Sequence, residues 1–192
     1  MPKLNSNQVL DDLIADVEAI IEVVENEFIP LDNDKLYQHP SPSKWSVNEC
    51  LQHLNVTNYH YLPRIKLVIE NAVGNCQERT ETYRPSWLGK MAYNGTKPSA
   101  DGIIPKPMKT FKKEFNPVLS AYKQISAIPE FLEQQKQLLH YLRQAKNVSM
   151  GGNRITSLIP IIRFKLGDAF RFLIAHEQRH ILQAKNVILI LN

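Results

Sequence analysis

Four stretches of this chain repeat apolar residues at intervals of three and four, and no other feature constrains the fold as much. The first runs from about Ser6 to Phe28 and carries Leu10, Leu13, Ile14, Val17, Ile20, Ile21, Val24 and Phe28, with Asp and Glu between them. That spacing predicts an amphipathic helix. Pro30 has no N–H to continue the ladder and stops it. A second start is written in Trp45-Ser46-Val47-Asn48-Glu49, where Ser46 and Glu49 have the spacing of a capping box. The stripe behind it is Val47, Cys50, Leu51, Leu54, Tyr61, Leu62, Ile65, Val68 and Ile69, ending near Val73-Gly74. Pro63 lies inside this pattern and predicts a kink, because the bond to the carbonyl of Tyr59 is lost.

A third helix is predicted over about Ile128 to Asn147, with Ser126 as cap and Pro129 in its first turn. Its buried positions are Phe131, Leu132, Leu138, Leu139, Tyr141 and Leu142. The last helix runs from Leu166 to Leu191 on Phe170, Leu173, Ile174, Ile181, Ala184, Val187 and Ile188. The stretch Asp32 to Lys44, with Pro40 and Pro42, reads as loop. Residues 75 to 125 show no sustained period and read as an irregular cover over one end of the fold. The connection from Val148 to Phe164 holds Gly151, Gly152 and Pro160, and Ile155 to Ile159 reads as a short extended piece.

None of these helices can bury its stripe alone. Packed together they make an all-α four-helix bundle, and residues 1–192 read as one domain. The length of the segment 75–125 suits a long crossover connection, so the helices need not alternate up and down.

Composition enters as a set of exclusions. With 43% hydrophobic and 22% charged residues the chain has a core to build and is neither disordered nor fibrous. A net charge of +4 is small and dispersed, which permits but does not indicate a nucleic-acid or acidic-membrane partner. Lys106, Lys109, Lys112 and Lys113, with Phe111 and Phe115 nearby, read as a solvated loop. Met1 to Ser6 lacks the apolar core of a leader, and the run Val187 to Leu191 is too short for a membrane span. Cys50 and Cys76 then read as reduced thiols, and the expected location is the cytoplasm.

The histidines carry the chemistry. His176 and His180 are four apart in His176-Glu177-Gln178-Arg179-His180, so both imidazoles leave the last helix on one face. Both can reach one cation. They sit at the margin of the apolar stripe, as His53 does on the second helix beside Cys50, Leu54 and Tyr61. The same five residues match the His-Glu-x-x-His motif of zinc proteases, yet Ile181 to Asn192 contain no His, Glu, Asp or Cys to serve as a downstream ligand. The position three past His180 is Gln183, where the extended motif has glycine. A third ligand, if there is one, must therefore come from upstream, which favours His53 and disfavours a protease.

Other residues have plainer readings beside the functional one. Glu177 faces the stripe and reads as a general base, as an anchor for a ligand imidazole, or as half of an inward salt bridge with an arginine. His60 lies two turns from His53 on the same face, about 10 Å along the axis, and with Tyr61 reads as pocket lining. Glu49 is explained by its cap, Cys50 by burial and Trp45 by packing. Arg179 reads as a surface or ion-pair residue, or as a contact for an anionic substrate. His39 and His140 belong to no constellation.

Two segments, Lys44 to Leu54 and Leu166 to His180, resemble the DinB-like (DinB/YfiT) family of metalloenzymes. The first is similar to that family's Trp-Ser…Glu…His-Leu signature and the second to its final-helix His-x-x-x-His. The resemblance implies an up-up-down-down bundle and a divalent cation held by His53, His176 and His180, with remaining positions open to water or substrate. It also implies a homodimer, and chemistry that in some members uses a low-molecular-weight thiol. Imidazole ligands suit zinc or nickel, with iron, manganese or copper as alternatives. The reading is thus a metal-dependent hydrolase or thiol transferase acting on a small molecule. Its rivals are a metal-binding or stress-response module without turnover and, behind it, a zinc protease.

Overall fold

The computed structural model describes residues 2–75, 78–99, 101–104, 125–159 and 161–192. Cys76 and the lysine-rich stretch read above as a solvated loop lie outside them. A short strand β1 (Leu4–Asn5) leads into α1 (Ser6–Val23), whose first turn is capped where Gln8 N–H donates to Asn5 Oδ1 at 3.0 Å. The last turn, Val24–Phe28, widens into a π-turn just before Pro30. Leu10, Leu13, Val17, Ile20, Val24 and Phe28 are all buried, as the spacing requires.

Two short helices differ from the sequence reading. The stretch read as loop contains α2 (Asn33–Tyr37), capped by Asp32 and pinned by buried Leu36. Within the segment read as irregular lie β2 (Thr82–Tyr83), which pairs antiparallel with β1, and α4 (Trp87–Thr96). Between them in sequence comes α3 (Val47–Gly74), which starts with the full Ser46–Glu49 capping box and continues as helix through Pro63. Helix α5 (Ile128–Ala145) has Ala127 rather than Ser126 at its cap position, although Ser126 Oγ accepts from Ile128 N–H at 3.4 Å. Strands β3 (Arg154–Thr156) and β4 (Arg163–Lys165) form a small antiparallel pair that delivers the chain into α6 (Leu166–Leu191).

The four long helices form the all-α bundle. Helix α3 packs against α5 and α6, and α1 packs against the same two, which sets α1 diagonally across from α3 and α5 across from α6. The core between them is continuous, from Leu10 and Val17 through Leu51, Leu54 and Ile65 to Phe131, Leu138, Phe170 and Leu173. Each such side chain contributes about 1.5–3 kcal/mol relative to exposure. Helix α4 lies on the outside of α6. Among the described residues no helix is long and apolar enough to cross a membrane.

Candidate metal centre

Helices α3 and α6 are neighbours, so their marginal histidines meet. His53, His176 and His180 are 7%, 6% and 8% exposed, and each offers a ring nitrogen within 4.8 Å of the other two. Their ring centroids stand 4.6–5.0 Å apart and the planes cross at 54–67°. The Nε2 atoms of His53 and His176 are 3.1 Å apart. Two nitrogens each 2.0–2.1 Å from a tetrahedral ion would be separated by about 3.3 Å, so the spacing fits a shared cation.

Protonation also suits ligation. His180 Nδ1 donates to Gln183 Oε1 at 3.0 Å, which leaves the lone pair on Nε2. Burial holds the His176 imidazolium well below the usual histidine range, and His180, His53 and Arg179 push the same way. Burial does the same to His180, helped by His53 and Arg179. Both rings are therefore neutral, the form that binds metal.

Aromatic side chains close the cluster on two sides. Trp45 lies 5.0 Å from His53 and 5.7 Å from His180, and Phe172 is stacked on His176 at 5.9 Å. Neither contact was evident from sequence, where Trp45 reads as packing; Phe172, one turn before His176, was the nearer signal. Gln183 was legible by the same spacing, one turn past His180.

Glu177 is fully buried, and its Oε1 accepts from Asn58 Nδ2 on α3 and Gln135 Nε2 on α5, each at 2.9 Å. The inward salt bridge is thus replaced by two amides. Burial pushes the Glu177 carboxyl up to about 7, against the opposing pull of these hydrogen bonds. Its Oε2 has no hydrogen bond among the described residues. His60 and Tyr61 are set back from the cluster: ring contacts run from His60 to Tyr61, to Phe172, and only then to His176. Tyr61 is buried, and burial pushes its phenol above the usual range.

Arg179 is buried rather than on the surface, and burial lowers its guanidinium below the ordinary range. Cys50 is fully buried with its thiol pushed up by burial, so it is an inert core residue. His39 has company after all: Nδ1 donates to Lys44 O at 2.8 Å and Nε2 lies 3.4 Å from Glu49 Oε2.

The family model of the DinB superfamily matches residues 16–184 of the chain. No curated protein and no solved structure matches it.

Proposed function

The chain belongs to the DinB superfamily, and from that premise we propose that it is a metal-dependent enzyme acting on a small molecule at a divalent cation held by His53, His176 and His180. One observation carries this reading. The group that can hold an ion contains three histidines and, among the described residues, no fourth His, Cys, Asp or Glu. Three protein ligands leave a coordination position open, which distinguishes a catalytic site from a structural one.

A cation bound there supplies a Lewis acid that lowers the pKa of a bound water or thiol. The chain's own groups do the rest. Gln183 fixes the tautomer of His180. Trp45 and Phe172 keep water from two flanks of the cluster. Arg179 adds a fixed positive charge beside the histidines, which suits an anionic group on the substrate. Glu177 ties α6 to α3 and α5 through Oε1, and Oε2 is its one oxygen left to take a proton. Imidazole donors favour zinc or nickel over manganese; iron is intermediate. The reaction belongs to hydrolysis or low-molecular-weight-thiol transfer, in a homodimer of the reducing cytoplasm.

Metal-loaded protein is to be assayed in two arms, ester or amide hydrolysis without thiol and conjugation of an electrophile to a small thiol. Turnover in one arm, reduced at least about 100-fold by His176→Ala, is the expected result. Metal bound at one equivalent with turnover in neither arm would favour the binding module without catalysis.

A further inference from the structure

We propose that Trp45 is a positioning residue of the metal centre, holding the imidazoles of His53 and His180 from two helices at once in the orientation that ligates. The inference rests on the three-histidine reading above and goes beyond it, because Trp45 offers no ligand atom. Its indole is 5.0 Å from His53 at an interplanar angle of 46° and 5.7 Å from His180 at 25°. An imidazole that ligates through Nε2 must be fixed in its ring rotation, and an aromatic ring packed against it, tilted on His53 and stacked on His180, does that without competing for the nitrogen.

The indole is itself held. Trp45 stands immediately before the cap of α3, so the backbone groups on either side of it are both engaged. Ser46 N–H donates to Glu49 Oε2 at 3.0 Å, and the Lys44 carbonyl accepts from His39 Nδ1 at 2.8 Å. The second nitrogen of His39 faces the same Glu49 oxygen at 3.4 Å. A capping box, a histidine clasp and an indole therefore form one unit whose outer end is the ring in contact with the two ligands. Residues before α3 thereby set the geometry of nitrogens on both α3 and α6.

The chain has two tryptophans, and the other, Trp87, lies exposed on α4, so a W87F background isolates the signal of Trp45. In that background one equivalent of Ni²⁺, an open-shell ion, is expected to quench Trp45 emission, and His176→Ala to abolish the quench. Metal affinity is then measured by competition with a coloured chelator for wild type, Trp45→Phe and Trp45→Leu. Phe keeps an aromatic face and is expected to bind within about threefold of wild type. Leu keeps apolar bulk without a ring and is expected to bind at least about tenfold more weakly, the usual range for losing an outer contact to a ligand. Cooperative thermal unfolding of each chelated variant confirms that it is folded, so that a loss of affinity is read from the site.

Leu binding as tightly as wild type would overturn the positioning role and leave the three-histidine site standing. Phe as weak as Leu would overturn a role for the aromatic face. Failure of wild type to bind metal at all would overturn the site, and this inference with it. Should the Leu variant not fold, Trp45→Met serves as the ring-free comparison.

Discussion

His176 and His180 stay neutral because desolvation and neighbouring positive groups penalise their charged forms, and a neutral ring is the one with a lone pair to share. Glu177, between them in sequence, is penalised in the opposite sense. Burial disfavours its carboxylate and raises it from 4.5 to about 7. A raised carboxyl binds its proton more tightly in the folded than in the unfolded chain. It therefore stabilises the fold at low pH and loses that contribution as pH rises through the interval. In metal-free protein, the stability of wild type relative to Glu177→Gln is expected to fall by about 3 kcal/mol between pH 4.5 and 7. Denaturant titrations across that range check it, and parallel curves for the two proteins would contradict it. The spacing of His176 and His180 was legible in the sequence because it is local. The partners of Glu177 were not: Asn58 and Gln135 lie 119 and 42 residues away, and only the packing of three helices brings their amides to one oxygen.

Elements whose signals are local are the ones the sequence revealed. The Ser46–Glu49 box starts α3 where the pattern predicts, and α6 spans Leu166–Leu191 as its stripe predicts. Helix α4 was missed because its glycines read as breakers, whereas Gly89 serves a close approach. A Cβ there would stand 2.2 Å from Asp168 Cγ and 2.5 Å from Asp168 Cβ. That carboxylate must stay near, since Oδ2 accepts from Ser86 N–H at 3.0 Å and pins the start of α4 to α6. Ser86 in turn caps α4 by accepting from Gly89 N–H at 3.0 Å. Gly89→Ala improves helix propensity but overpacks this contact, and the packing wins: the variant is expected to lose about 1–3 kcal/mol. Thermal unfolding measures it, and a variant as stable as wild type would mean that α4 is not docked through Asp168. Helix α2 was missed for a different reason, being too short to establish a period.

Across the whole molecule, the periodic stripes disclosed an all-α bundle but not which helices are neighbours, since any amphipathic helix can face any other. That pairing decides the site: α3 beside α6 is what lets His53 meet His176 and His180. An ion shared by the two helices binds the folded chain and not the unfolded one, so it must stabilise the fold. At free metal 100 times the dissociation constant the gain is about 2.7 kcal/mol, or about 5–10 °C in melting temperature for a chain of this size. Scanning calorimetry with zinc or nickel, before and after a chelator, is expected to show that rise and its reversal, and no shift would argue against a site bridging α3 and α6. The most direct measurement is elemental analysis of the purified protein beside His53→Ala, His176→Ala and His180→Ala. The account predicts about one divalent ion per chain in the wild type and a clear loss of it in each variant. Undiminished metal in the variants, or none in a wild-type protein exposed to zinc and nickel, would contradict it.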